Sequence, residues 1–406
     1  MQRHREHRRW LDNPWVIVIA GGLVMGLAMG VRHAQGIFLM PITLDHGWSR
    51  ETFGLAIAFQ NLVWGLAQPI TGMVADRYGS RRVMIFGLLM YGTGLTLMSD
   101  ASSPAAFNLS AGLCIGVALS GTAFGVVYGA ISRLMPAARR SWGLGVAGAV
   151  GGLGQFFMVP VAQGLIANLG WAGALTALGF ACAVLLPACL PMQDRHGPDP
   201  LGRQSLVAAL HEAFSHRGFW LLNIGFFACG FQLAFIASHM PAYLLDSGLS
   251  GNDAVAGLAI IALANVGGTY FCGWIGGFQR RKNLLAFIYL TRSVAMSLFV
   301  LIPLSTGSLY LFCAVIGFIW LGTVPLTNGL ISQIFGVQYI ATLFGFVFFG
   351  HQLGAFFGVW LGGYLFDATQ SYELIWLVSI VLGIGASLLH CPIDDRPLVR
   401  RSEVIA

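Results

Sequence analysis

The chain has 406 residues, of which 56% are hydrophobic and only 9% charged. Soluble domains carry about 25% charged residues, so a soluble enzyme or nucleic-acid-binding domain is excluded and an integral membrane protein is expected. The net charge of +6 therefore has to be explained by membrane topology.

About 20 apolar residues span a bilayer as an α-helix. Runs of that kind fall in the first half near 15–40, 51–75, 82–99, 106–134, 141–168 and 171–190. In the second half they fall near 219–245, 253–277, 283–304, 308–335, 340–366 and 371–391. The runs are continuous rather than alternating, so a β-barrel is ruled out. The predicted fold class is an all-α membrane protein with twelve transmembrane helices in two pseudo-symmetric six-helix bundles. The predicted domains are an N-terminal bundle over 1–190, a cytoplasmic linker over 191–218, and a C-terminal bundle with a tail over 219–406. Segment 204–214 of the linker has the pattern of a short amphipathic helix.

Basic residues set the orientation. Arg3, Arg5, Arg8 and Arg9 precede the first span, and Arg77, Arg81 and Arg82 follow the second. Arg133, Arg139 and Arg140 follow the fourth, and Arg195, Arg203 and Arg217 the sixth. Arg280, Arg281 and Lys282 follow the eighth, and Arg396, Arg400 and Arg401 the twelfth. The positive-inside rule then puts both termini in the cytoplasm. The first run lacks a cleavage site and reads as a retained helix. Of the seven Cys, six lie within spans and Cys391 closes the last; none has metal spacing, so inert packing is expected.

The carboxylates sit at or beyond the ends of the apolar runs, whereas Arg32, Arg292, His33, His239 and His351 lie well inside. Intramembrane ionisable residues are functional candidates by default. Positive charge without an internal carboxylate points to a pathway for something small and negative. Arg32 lies about 25 Å into its helix, beyond comfortable snorkelling reach. It is either an anion ligand or a structural Arg bonded to backbone. Gln35 follows three residues on; His33 points about 100° away, to a helix contact or to the site. His239 and Gln232 share a face of the seventh span and could look toward Arg32. Arg292 is about 14 Å deep in the ninth span and either caps carbonyls or Asn265, or joins the site. Asn61, Trp64 and Gln68 share a face of the second span; Gln155, Tyr128, Trp320 and Asn328 are further candidates, and Gln352 reads as a helix–helix hydrogen bond.

Two motifs fail on context. Gly143-x-Gly145-x2-Gly148 opens a membrane helix with no strand before it, so it is not a dinucleotide fingerprint. His211-Glu212-x3-His216 is one residue too long for a zinc-protease helix. No Walker motif is present, so ATP is not expected to power the protein, and no cofactor or metal is expected.

The segment after the second span, Gly72-x3-Asp76-Arg77-x-Gly79-x-Arg81-Arg82, closely resembles the signature loop of the major facilitator superfamily. A weaker copy, Gly273-x3-Gly277-x2-Arg280-Arg281-Lys282, follows the eighth span without the Asp. The pattern Gly148-x2-Gly151-Gly152-x-Gly154-x5-Pro160 is similar to that family's fifth helix. The stretches GIFLMPI, DHGWSRETFGLAIA and FFGHQLGAFFG resemble its monocarboxylate-porter branch, which includes oxalate/formate antiporters. The resemblance implies alternating access between two rocking bundles, with Asp76 locking the cytoplasmic gate at the eleventh helix near Tyr339. It places His351 where the antiporter has its substrate-binding Lys, and Arg32 or His33 close to the porters' first-helix Lys. The branch's eighth-helix Arg and its acidic partner are replaced here by Thr269 and Asn265.

The expectation is thus a secondary active or facilitative carrier of a small organic anion, in particular a carboxylate, in a bacterial inner membrane. Its partners would be that anion, the lipid bilayer and, if transport is coupled, protons carried by a His; no nucleic acid and a monomer are expected. An exporter of amphipathic or aromatic compounds, or a non-transporting sensor or enzyme on the same fold, is the alternative. Flux of labelled substrate into proteoliposomes separates these classes.

Overall fold

The computed structural model describes residues 13–48, 50–193 and 204–398. Arg3, Arg5, Arg8, Arg9, Arg195, Arg203, Arg400 and Arg401 lie outside the described residues. Among the described residues, eleven helices are long and apolar enough to cross a membrane. One of them spans 56 residues and is broken at Gly170, whose φ of 71° only glycine adopts without strain, so it crosses twice. Twelve crossings result.

We number the crossings in chain order. α1 is Pro14–Ala34, extended by a 3-10 turn Gln35–Phe38; α2 is Arg50–Tyr78 and α3 Ser80–Ser99. α4 runs Pro104–Leu134, and the run Arg140–Val184 divides at Gly170 into α5 (140–169) and α6 (171–184). In the second half α7 is Arg217–Asp246, α8 Gly251–Ile275 and α9 Arg281–Leu301. α10 spans Thr306–Phe335, α11 is Ile340–Thr369 and α12 Glu373–His390. A short helix, Leu206–Ser215, precedes α7, its first turn capped by Ser205.

Helix starts follow ordinary capping chemistry. Asn13 Oδ1 accepts from the Trp15 amide at 3.0 Å, with Pro14 filling the first position. Ser250 with Asp253 and Ser305 with Ser308 form capping boxes at α8 and α10. In hydrocarbon the remaining backbone groups must be satisfied inside the helices, so interruptions need protein partners. Two interruptions stand at matching places in the two halves. α4 breaks at Ala123, between Ile115–Thr122 and Phe124–Leu134. α10 breaks between Thr306–Phe318 and Thr323–Phe335.

Glycines four residues apart, Gly22, Gly26 and Gly30 on α1 and Gly350, Gly354, Gly358 and Gly362 on α11, form ridges that set the packing within each bundle. A Cβ on Gly30 would lie 2.6 Å from the Gly154 carbonyl, so α1 crosses α5 at backbone distance. On α11, Gly354 and Gly358 bring the chain against the Phe227 and Phe231 carbonyls of α7 in the same way. Between the bundles, Gly145 of α5 meets Gly273 of α8, and Gly72 of α2 meets Ala341 of α11. Gly143-x-Gly145-x2-Gly148 is thus a packing surface. Polar contacts also cross the interface between the bundles. Ser132 Oγ donates to Asn328 Oδ1 at 3.0 Å, and Ser141 Oγ to the Gly273 carbonyl at 2.7 Å.

Candidate functional site

Arg32 sits in the last turn of α1, three residues before the buried Gln35. One terminal nitrogen donates to Asn61 Oδ1 of α2, and the guanidinium carbon lies 5.1 Å from the centroid of the Trp64 ring, one helical turn further along α2. A guanidinium on an indole face gains from the ring quadrupole, most strongly where water is scarce. Asn61 is itself oriented, its amide donating to the Ile57 carbonyl at 3.1 Å. Trp64 is anchored through Nε1 to Gln68 Oε1 at 2.9 Å, and Gln68 in turn donates to the Ser120 carbonyl at 3.0 Å. Among the described residues no carboxylate pairs with Arg32, and its Nε is buried without a partner. Both polar atoms of the Gln35 amide are likewise buried and unpartnered there. A cation held by one amide and one ring, with its Nε unpartnered, has the chemistry to pair with an anion.

The second bundle reaches this cluster through α11. Gln352 donates to the Asn61 carbonyl at 3.3 Å, and a Cβ on Gly65 would lie 2.7 Å from the Gln352 side chain. His351 Nδ1 lies 3.1 Å from Gln352 Oε1. The His351 ring is stacked on Phe348 at 5.2 Å and packs against Phe226 of α7 at 4.7 Å. Phe348 in turn meets Trp64 at 4.8 Å. A continuous line of rings therefore joins Arg32 of one bundle to His351 of the other.

Arg292 is fully buried on α9. Its Nη2 donates to the Ile319 and Trp320 carbonyls, both at 2.6 Å, capping the interrupted end of α10. Nη1 donates to Cys229 Sγ of α7 at 3.2 Å, and Thr323 Oγ1 is 3.3 Å from the same sulfur. Asn265 accepts from the Leu321 amide at 3.1 Å and from Thr269 Oγ1 at 2.9 Å. Asn265 and Thr269 thus form a neutral pair across the α10 break, where the resemblance had placed an acid and an Arg. The placement of Arg292 matches the carbonyl-capping alternative for Nη2, while Nη1 meets the Cys229 sulfur and Nε is buried without a partner, as in Arg32. Trp320, also a candidate, supplies one of those carbonyls from the break.

The remaining candidates are dispersed. The His33 side chain is exposed and outside the Arg32 cluster. His239 Nε2 lies 2.9 Å from the Val359 carbonyl, with Tyr372 Oη 3.5 Å from Nδ1 and Phe235 beneath the ring at 5.9 Å. It ties α7 to α11 and α12 rather than looking toward Arg32. Gln155 is half-buried on α5. Tyr128 and Asn328 are fully buried, the latter holding Ser132. Sequence reasoning missed Phe348, Thr323 and Cys229. Phe348 lies one turn before His351, which was a usable signal. Cys229, taken for inert packing, is corrected: it accepts from a guanidinium. Among the described residues no cluster of His, Cys, Asp and Glu could hold a metal.

At the end of the bundles where α2 meets α11, Asp76 is 6% exposed and bridges the two bundles. It accepts from the Thr342 amide and hydroxyl, both at 2.7 Å, and from the Ala341 amide at 3.3 Å, at the start of α11. Arg133 of α4 pairs with it at 2.5 Å and donates to Ser80 at 2.7 Å. A carboxylate on the free amides of a helix start is favourable through both hydrogen bonds and the helix dipole. Gly72 permits the approach: a Cβ there would lie 2.4 Å from the Ala341 carbonyl. Gly79, at φ 93°, turns the chain into α3. Arg81 reaches Gln193 at 3.3 Å, Arg77 lies over Tyr78, and Arg82 is exposed. In the second half Arg280 instead holds Asp395 of the tail through two bonds, at 3.0 and 2.5 Å.

The Major Facilitator Superfamily pattern matches residues 18–359. Human monocarboxylate transporter 11 is 26% identical over 93% of this chain and 82% of its own length. The oxalate:formate antiporter of Oxalobacter formigenes is 25% identical over 92% of each chain. The crystal structure of the E. coli fucose:proton symporter superposes with a TM-score of 0.71 at 14% identity, covering 93% of this chain and 97% of its own. The proton:xylose symporter structure gives 0.71 at 14% identity, covering 92% and 94%. These likenesses are to transporters, and the fold is theirs.

Proposed function

The chain belongs to the Major Facilitator Superfamily, and on that premise we propose that it carries a small organic anion, a carboxylate, across the membrane by alternating access. The observation that supports this most is Arg32: an intramembrane cation, held by Asn61 and Trp64, with no carboxylate partner among the described residues and unused donors. The names of the relatives, monocarboxylate transporter and oxalate:formate antiporter, point to the same substrate class.

In this reading the carboxylate takes the free edge of the Arg32 guanidinium as a bidentate partner. The Gln35 amide supplies a neutral donor beside it, and His351 meets the anion from the opposite bundle. Because Asn61 is bonded to Gln352 across the bundle interface, a ligand that pulls on Arg32 and His351 together biases how the bundles rock. With the Asp76 end taken as cytoplasmic, its bonds to Ala341 and Thr342 support a state that is loaded from the other side. By the positive-inside rule both termini face the cytoplasm in this reading, the membrane is taken as a bacterial inner membrane, and one chain supplies the whole site, so a monomer suffices. A proton, if one is coupled, is carried by His351.

The test is binding and uptake of small mono- and dicarboxylates by purified protein and by proteoliposomes. Removing a bidentate charged contact costs about 2–4 kcal/mol, so Arg32→Gln should weaken binding roughly 30- to 1,000-fold with normal membrane insertion. Unchanged uptake by well-folded Arg32→Gln protein refutes the reading.

A further inference from the structure

The interruptions of α4 and α10 are held by different chemistry. At the α10 break a guanidinium, that of Arg292, donates to the Ile319 and Trp320 carbonyls. At the α4 break Ala123 is extended, at φ −96° and ψ −161°, and the Ser120 carbonyl just before it is held by neutral groups of α2. Gln68 Nε2 donates to that oxygen at 3.0 Å, and Thr71 Oγ1 lies 3.2 Å from it. Hydrogen bonds from a charged donor are about twice as strong as neutral ones, so the α4 break is the one that can yield.

Gln68 spans this break. It is fully buried, its amide bonds to Ser120 before the break, and Gly125 beyond the break makes room for it, because a Cβ there would collide with Nε2. On its other side Gln68 Oε1 accepts from Trp64 Nε1 at 2.9 Å, and Trp64 carries the Arg32 guanidinium on its ring. The neighbouring residue of α2 is Pro69, which has no amide for the Gly65 carbonyl and weakens α2 at the same level. Beyond Pro69 and Ala123, the helix ends 70–78 and 124–134 are tied to each other by Asp76 and Arg133 at 2.5 Å. The same two ends carry contacts to the second bundle. Asp76 meets Ala341 and Thr342, Ser132 meets Asn328, and the Phe124 ring lies 6.4 Å from that of Phe348.

We propose that Gln68 is the positioning residue through which occupation of the Arg32 site releases the paired ends of α2 and α4 from α11. Without an anion, the guanidinium rests on Trp64, the indole N–H stays on Gln68, and Gln68 holds the break so that Asp76 reaches Ala341 and Thr342. A carboxylate on the guanidinium neutralises the charge that draws it to the ring. Trp64 is then held less firmly, and the bond from Gln68 to the Ser120 carbonyl weakens with it, since bonds in a chain strengthen one another. The two ends swing on Pro69 and Ala123 as one unit, with Asp76 and Arg133 still paired.

This coupling rests on Arg32 as the ligand of the transported anion and deepens that reading: loading the site is itself what frees the lock at Asp76. It is also reciprocal. By whatever factor the anion favours release, release favours the anion, so a chain whose Gln68 clamp is already open binds the anion more tightly. A side chain that only supports the fold has the opposite effect when it is removed.

Two variants test it. Gln68→Met keeps the length of the side chain and removes both bonds; Thr71→Val removes the other donor to Ser120, two turns along α2 from Trp64. The first readout needs no anion. It is the labelling rate of Ser332→Cys, a position 8% exposed and one turn from Asn328, with the exposed Cys391 replaced by Ser. Each neutral bond lost should speed labelling about two- to tenfold, so Gln68→Met labels faster than Thr71→Val and both label faster than the parent. Equal rates in Gln68→Met and parent overturn the proposal and leave the anion reading standing. Saturating oxalate is then added. It should speed labelling of the parent and barely change Gln68→Met; equal acceleration of both overturns the coupling. In binding and uptake, Gln68→Met should hold oxalate more tightly, by about the same factor as the labelling gain, while its turnover falls. Weaker binding by folded Gln68→Met protein overturns it. Should Gln68→Met not fold, Thr71→Val decides by the same readouts in the same directions. A parent that neither binds nor carries oxalate or another small carboxylate fails the transport reading instead, and the labelling without anion still decides whether Gln68 clamps the break.

Discussion

Asp76→Asn separates the contacts of Asp76 that bear on gating from those that bear only on folding. The carboxylate has partners in both bundles. Arg133 belongs to the first bundle with Asp76 and moves with it, so that pair at 2.5 Å persists whichever way the bundles rock. The bonds from Ala341 and Thr342 cross to α11 and exist only when the cytoplasmic side is shut. A charge at a partly buried helix start contributes up to about 2 kcal/mol, and that is the part that distinguishes the two states. The amide of Asn keeps one acceptor but turns a donor toward the Thr342 amide, so most of this term is lost. At 1.4 kcal/mol per factor of ten, closure should weaken by roughly 30-fold. Loss of the Arg133 pairing lowers overall stability without changing this ratio. The assay is labelling of a reporter cysteine from the cytoplasmic side. Ser332→Cys suits it, being 8% exposed and one turn from Asn328, which meets Ser132 across the interface. Cys391 is exposed and would first be replaced. Labelling should accelerate in Asp76→Asn, and turnover should fall more than binding. Equal labelling in mutant and parent refutes the gating role and leaves Asp76 an anchor for its own loop.

Two further outcomes follow from the same geometry. Gly72→Leu should prevent cytoplasmic closure while sparing each bundle, because its Cβ would stand 2.4 Å from the Ala341 carbonyl. The same reporter should label quickly at unchanged thermal stability of the N-terminal bundle, and slow labelling would show that α2 can yield. The Arg280 guanidinium holds the Asp395 carboxyl below the ordinary carboxylate range. A depressed folded-state value means that the tail's attachment is present above about pH 4 and is lost as pH falls through the lower value. Limited proteolysis after Cys391 should therefore rise in strong acid, and should do so at neutral pH in Arg280→Gln; equal cleavage of parent and variant at neutral pH would refute this.

The architecture was legible in the sequence because the bilayer imposes one-dimensional rules. Span length follows from hydrocarbon thickness, and the glycine ridges of α1 and α11 announce close crossings by their spacing of four. The expected run near 171–190 appears as a helix joined to its neighbour, divided only by the left-handed Gly170. Arg32 could be singled out because a charge in an apolar run is conspicuous.

What only the tertiary structure decided was the company each polar group keeps. Arg32 and Arg292 look alike as lone charges in apolar helices. One rests on an amide and an indole ring; the other holds two carbonyls at a helix break and a cysteine sulfur. That break, between Phe318 and Thr323, carries Gly322 and is followed by Pro325, but these residues do not say what satisfies the freed backbone groups. It exists because Arg292 and Asn265, from two other helices, satisfy the backbone groups that it frees. His239 and His351 both lie well inside apolar runs, yet one ties to the Val359 carbonyl and Tyr372 while the other packs on Phe348 and Phe226 beside Gln352. Helical periodicity fixes which face a side chain leaves from, but the partner it meets depends on how bundles more than a hundred residues apart are set against one another, and no local pattern encodes that.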